Sequence, residues 1–263
     1  MRWGAPSPRS ATIGTTGAQA EGDTLPAEAI DEIRRSRRHP IPAQKDFLHL
    51  RALLRDLEAT VRSLPPVADV LDVFCGTTPY RDLFAPDVRY VRMDVDSRYG
   101  VPDVESTDLR PFDDASFDVV LCIEGFHYVR EPQHGVDEMW RVLRPGGWAI
   151  VTVPLMWEYD RATFESRYTG HDLARLFRDW DDVEVVENGG RGVTWATVTG
   201  DTVDLLEQGL VRRFPAARLT RPAFAATYLA INAIGAQIER AERRFARTTF
   251  ALPMNLLVRA RRR

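Results

Sequence analysis

Cysteine is nearly absent. Cys75 and Cys122 are the only two, each beside an apolar run, which excludes a disulfide framework or a zinc cluster and makes both core thiols. Lysine is scarcer still: Lys45 stands alone and arginine carries the remaining positive charge, a composition of GC-rich bacterial genomes. No uninterrupted apolar run approaches the roughly 18 residues that a membrane span needs. The opening MRWGAPSPRSATIGTTGAQAEGD lacks the apolar centre of a signal peptide, so a cytoplasmic protein is expected. Glycine is missing where a nucleotide-like cofactor would want it. The stretch VADVLDVFCGTTPYRDLF, residues 67–84, reads as strand, tight loop and helix, yet the loop holds only Gly76, and Phe74 stands where a glycine is expected.

What remains is ordinary globular material. A hydrophobic fraction of 44% and 263 residues suffice for a full core. The net charge of −3 conceals an asymmetry: residues 200–263 hold 12 arginines against five acidic residues. Such a basic segment faces nucleic acid, an anionic lipid surface or an acidic neighbour, or is simply a solvated helix face, the reading favoured here.

Residues 1–25 have no hydrophobic period and are expected to be disordered, and IRRSRRHPIP (33–42) reads as a basic linker, so that 1–42 forms a tail ahead of one domain, 43–263. Phe47, Leu50, Leu53, Leu54, Leu57 and Val61 recur at helical spacing until Pro65 and Pro66 stop the helix. Strands then alternate with helices: strands at 67–74, 88–95, 101–106, 117–124, 148–154 and 182–188, and helices from Pro79, over 133–143 and over 171–180. This alternation predicts an α/β fold, a doubly wound and mostly parallel seven-stranded sheet. Residues 195–248 read as a helical cap or insertion before a last strand at 253–260. Its long amphipathic basic helix makes contact with a membrane surface conceivable, although Asn232, Gln237 and alternating Glu and Arg disfavour it.

In an open α/β sheet the ligand binds beyond the carboxyl ends of the strands. The first strand delivers Asp72, Phe74, Cys75 and Gly76 there, and Thr78-Pro79 reads as a capped helix start. The second ends in Asp94, 22 residues after Asp72, a spacing suited to the ribose hydroxyls of an adenosine cofactor. Met93 beside it is either a core side chain or a platform for adenine.

The run DLRPFDDASFDVVLCIEGFHYVREPQHGVDEMWRVLRPGGWAIVTVP, residues 108–154, resembles the class I S-adenosylmethionine-dependent methyltransferases, in particular the small-molecule group known as type 11. The elements that carry the resemblance are Pro111-Phe112, Phe117-Asp118, Glu124 with His127 and Tyr128, and Arg141-Val142-Leu143 with Pro145-Gly146-Gly147. It extends back through VLDVFCGTTPYRDLF and forward to RYTGHDLARLF, over about residues 45–190. The resemblance implies S-adenosyl-L-methionine as cofactor, with Asp72 and the Cys75-Gly76 backbone toward its methionine part, Asp94 toward the ribose, Glu124 at the strand end, and Ser106 where the family has its adenine-binding acid. Phe74 then either turns into the core or narrows the methionine pocket. A dinucleotide would need the missing glycines for its pyrophosphate, so their absence counts more against a nucleotide-dependent oxidoreductase than against this cofactor.

Methyl transfer to a hydroxyl gains from a general base, and His127 is the first candidate, with Glu124 and Tyr128 beside it. His171 is second, while Tyr159, Arg167 and Tyr168 are expected to line the acceptor side, Arg167 facing an acidic group if there is one. The predicted activity is methylation of a small-molecule acceptor, at the oxygen of a sugar, lipid-linked or secondary-metabolite hydroxyl, by a monomer or homodimer without a metal. No asparagine-proline-proline-aromatic motif is present, which disfavours nucleic acid. The competing reading is an inactive cofactor-binding or interaction protein with a degenerate loop.

Overall fold

The computed structural model describes residues 24–95, 97–100, 102–159, 161, 163–245 and 251–263. A seven-stranded sheet runs in the order β3-β2-β1-β4-β5-β7-β6, with β1 (Asp69–Val73), β2 (Arg89–Asp94), β3 (Val104–Glu105), β4 (Phe117–Ile123), β5 (Leu143–Pro154), β6 (Asp181–Asn188) and β7 (Asn255–Arg261). All neighbouring pairs from β3 to β5 are parallel, and β7 is wedged antiparallel between β5 and β6. The chain order reverses between β1 and β4, which makes the crevice beyond their carboxyl ends the place for a ligand.

The central strands are apolar on both faces because both faces are covered. Val119 and Leu121 of β4 join Val70, Ile150 and Leu257 against Leu53 and Leu57 of α2 (Phe47–Arg62). The alternate residues Val120 and Cys122 join Leu71, Val73 and Val151 against α3 (Pro132–Val142) and α4 (Gly170–Leu176), through Val136, Met139 and Leu173. The strand period of two thus assigns each residue to one of two cores. Both cysteines are buried and unpaired.

Several expectations need correction. The helix from Pro79 is only a 3₁₀ turn, Arg81–Leu83. Thr78 sits at φ 56°, in the left-handed region, so no right-handed helix starts there. The ten residues between Thr78 and the start of β2 bury Tyr80 and Phe84 under the sheet and leave no length for a helix. The supposed basic linker contains a helix, α1 (Ala27–Arg38), and residues 1–23 lie outside the described residues. Two boundaries also move: the third strand shrinks to two residues, and the fifth extends back through the Pro145-Gly146-Gly147 turn to pair Leu143 with Phe117.

The helices between β6 and β7 are α5 (Arg191–Arg213) and α6 (Arg221–Phe245), joined by a 3₁₀ turn, Pro215–Thr220. They approach closely at glycine. A Cβ on Gly192 would strike the Gly235 carbonyl and the Glu239 nitrogen, and one on Gly235 would fall 2.7 Å from the Ala196 Cβ. Gly192→Ala therefore has to push the helices apart at a cost of about 1–3 kcal/mol, read as a lower urea midpoint; an unchanged midpoint would contradict this packing.

Candidate cofactor and catalytic site

Four left-handed residues gather at the carboxyl ends of β1 and β4. Phe74 (φ 57°), Gly76 (φ 49°) and Thr78 (φ 56°) follow β1, and Glu124 (φ 56°) follows β4. Only glycine adopts this conformation freely; for other residues it costs of order 1–3 kcal/mol, and such strain collects at functional sites. The Phe74 ring packs on the core and against Gly125, where a Cβ would fall 2.5 Å from Phe74 Cδ2. Its seat exists because residue 125 has no side chain. The space where Gly76 would carry a Cβ is open.

Two carboxylates stand behind this loop. Asp72 is 2% exposed and accepts a hydrogen bond from the Tyr90 hydroxyl at 2.7 Å. Burial pushes its pKa up to about 7; Tyr90 opposes the shift and the Asp94 charge adds to it. Asp94 accepts from the Gly76 N–H at 2.7 Å and from the Val95 N–H at 2.7 Å, so it shapes the loop that it faces. Cys75 is buried, and that burial raises its thiol pKa far above the reactive range. Met93 is fully buried in the core. Ser106 donates from its backbone N–H to the Asp94 carbonyl and from its hydroxyl to the Asp108 carbonyl, while the Asp108 carboxylate holds Arg110.

Glu124 is the hub of the site. Its carboxylate accepts from Arg37 Nη2 at 2.9 Å and from Asn255 Nδ2 at 3.1 Å, and His49 Nε2 lies 3.4 Å away. Its backbone N–H donates to the Thr152 hydroxyl oxygen at 2.9 Å. Burial alone would raise its pKa, but His49, Arg37 and His127 outweigh it and hold the pKa at about 2. His127 is 5% exposed and stacks on Tyr128 at 4.0 Å between ring centroids. Burial lowers its pKa to about 4, Arg167 adds to that, and Glu124 only partly offsets it. At neutral pH the imidazole is uncharged, and its Nδ1 has no hydrogen-bond partner. Thr77 Oγ1, His49 Nδ1 and Asn255 Oδ1 are likewise buried without partners. Buried polar atoms without a protein partner call for an ordered water or a polar ligand.

Asp72, Phe74, Gly76, Asp94, Glu124, His127 and Tyr128 are thus drawn together at the strand ends. Other expected residues are not. His171 is an exposed first-turn residue of α4, Tyr159 is 66% exposed, and Tyr168 is buried against Phe126. Arg167 pairs with Glu165 and bonds the carbonyls of Trp157 and Glu158; it braces its own loop and is not free for an acceptor acid. Three residues of the hub escaped the sequence reading. Arg37 lies in the supposed linker, His49 beside the apolar stripe of α2, and Asn255 at the start of the last strand. The one available signal was His49, a titratable group inside a run of core residues. From α1, Arg34 Nε also donates to the Thr77 carbonyl at 2.6 Å, and just ahead of the helix the Leu25 N–H donates to the Arg98 carbonyl, so this N-terminal segment lies over the loop.

Residues 71–151 match the family model described as a methyltransferase domain. The matched segment runs from β1 into β5 and so includes the strand ends that carry Asp72, Asp94 and Glu124. Among curated relatives it is 37% identical over 110 residues to a demethylmenaquinone methyltransferase of Clavibacter sepedonicus, a match covering 35% of this chain and 44% of that protein. It is 41% identical over 59 residues to the 27-O-demethylrifamycin SV methyltransferase of Amycolatopsis mediterranei, 22% of this chain and 21% of the other. The chain therefore spans less than half the length of the curated relatives it matches. The chain also shares its fold with a SAM-dependent methyltransferase from Archaeoglobus fulgidus, with a TM-score of 0.51, 13% identity and coverage of 88% of this chain and 99% of the other. It shares it too with the 4+2 cyclase SpnF, at a TM-score of 0.52, 19% identity and 82% coverage of each chain. One fold serving both shows that the architecture alone does not choose the reaction.

The buried Asp72 gives a test independent of any ligand. Its pKa is higher folded than unfolded, so its burial costs nothing at low pH and progressively more as pH rises toward about 7. Asp72→Asn keeps an acceptor for Tyr90 and removes the charge. Its gain in stability over wild type should grow between about pH 4 and pH 7 and then level off, at roughly 2–4 kcal/mol, in chemical unfolding across that range. A gain that does not vary with pH would contradict the assignment.

Proposed function

We propose that this domain transfers the methyl group of S-adenosylmethionine to a hydroxyl of a small-molecule acceptor, with His127 as general base. The residues fit that cofactor on three counts: Asp94 stands at the end of β2 bonded to the Gly76 N–H, open space flanks Gly76, and Phe74 is seated on the core and against Gly125. Asp94 would hold the ribose, the Gly76 backbone and Asp72 the methionine part, and Ser106 the edge nearest the adenine. Bound there, the cofactor supplies an electrophilic methyl on a sulfonium, leaving the protein to orient the acceptor and manage one proton.

The observation that carries the oxygen assignment is His127. It is neutral at physiological pH, nearly buried, and has an unpartnered Nδ1. That atom takes the proton of the acceptor hydroxyl as the new bond forms. The fixed negative charge of Glu124 then stabilises the imidazolium, while its own lone pairs stay committed to Arg37 and Asn255. Glu124 is accordingly a positioning residue and not a second base. A hydroxyl on a sugar, lipid-linked or secondary-metabolite scaffold is the acceptor class, consistent with the name of the rifamycin relative, which places its methyl on oxygen.

Methyl-labelled cofactor offered with a panel of hydroxylated acceptors tests this directly. His127→Ala should lower turnover by about 100-fold or more while cofactor binding persists. Because the working base is the neutral form and its pKa is about 4, wild-type turnover should stay flat from pH 8 down to about 5. Loss of activity centred near pH 6.5, or wild-type turnover by the alanine variant, would remove His127 from the mechanism.

A further inference from the structure

The helical hairpin between β6 and β7 is anchored only at its root. The buried residues of α5 lie between Gly192 and Gly200, and those of α6 between Tyr228 and Gly235. From residue 201 to 227 no residue is buried. With a rise of 1.5 Å per residue, α5 runs roughly 20 Å past Gly200 without core contacts. Helices in proteins draw most of their stability from packing an amphipathic face, and here that packing comes chiefly from α6 and the 3₁₀ turn rather than from the sheet. The stretch exposes Leu205 (59%), Leu206 (65%), Phe214 (56%) and Leu219 (85%) to water. A cluster of large apolar side chains at one tip marks an interaction surface.

The charge pattern says what kind. Every acidic group between residues 201 and 227 is already engaged: Asp201 and Asp204 bind Lys45 at 3.0 and 2.9 Å, and Glu207 accepts from the Tyr228 hydroxyl at 2.9 Å. From residue 208 to 227 there are four arginines, Arg212, Arg213, Arg218 and Arg221, and no acid. A symmetric contact with a second copy would bring this collar against itself with no carboxylate to meet it. Nucleic acid would satisfy the arginines but leave the leucines in water. An anionic lipid surface satisfies both, because the apolar side chains enter the acyl boundary while arginines remain at the phosphate level. No helix among the described residues is long and apolar enough to cross a membrane, so the contact is one of surface docking.

We propose that the tip of the α5–α6 hairpin, residues 205–221, docks the protein onto an anionic lipid surface through Leu205, Leu206, Phe214 and Leu219 and a collar of arginines. The surface lies outside the strand-end crevice, so this holds whichever acceptor the site takes.

Co-sedimentation of the full chain with phosphatidylcholine vesicles, with and without about one-third phosphatidylglycerol, tests it without any cofactor. The anionic vesicles should bind the protein at least tenfold more tightly, and high salt should weaken that binding. R212E, R213E and R218E combined, and separately L205S, F214S and L219S combined, should each lower the partition tenfold or more with helix content retained by circular dichroism. The proposal is overturned if the wild-type chain stays in the supernatant with both vesicle types. It is also overturned if folded tip variants bind as wild type does, or if the chain is a dimer in solution that the tip variants split.

Discussion

A largely enclosed carboxylate, that of Glu124, organises the working end of this protein. An ionised carboxylate away from water is costly unless opposite charge and hydrogen-bond donors surround it. Here the compensation comes from three separate elements: Arg37 from α1, His49 from α2 and Asn255 from β7. Meeting the demand of one side chain therefore pins the N-terminal helix and the last strand to the end of β4. The same contacts place α1 across the loop after β1 and leave His127 neutral beside a fixed negative charge.

The sheet was legible in the sequence to the extent that it is local. VVLCI, the run after Asp118, is apolar throughout because β4 is covered on both faces, and its alternate residues separate into the two cores. The strand ends carrying Asp72, Asp94 and Glu124 could be read for the same reason: they follow apolar runs directly. The failures have physical causes. Thr78-Pro79 looks like a helix start by its residue types, but Thr78 takes a left-handed conformation that ends any such helix. IRRSRR looks like a solvated run, yet α1 buries one arginine of it on Glu124. Arg37, His49 and Asn255 meet Glu124 over long sequence separations, and no local pattern carries that information.

Phe74 shows how a loop can lose a glycine and keep its shape. The left-handed backbone that glycine would supply is retained at φ 57°, and the benzyl ring goes where Gly125 leaves room. The glycine freedom has in effect moved to the facing strand end. What is lost is the conformational ease of the loop; what is kept is open space at Gly76 and a carboxylate, Asp94, bonded to its N–H. The hairpin of α5 and α6 follows a different logic. Its close glycine contacts hold the root against the rim of the site, and its charge and apolar surface are spent at the far end.

The claim on which the rest stands is that this unusual loop still forms a cofactor site. Calorimetric titration with S-adenosylhomocysteine, on the wild-type chain and on Asp94→Ala, measures it most directly. Saturable one-to-one binding that weakens by more than tenfold in a folded Asp94→Ala protein is the predicted result. No binding by the wild-type chain at millimolar ligand would contradict the account.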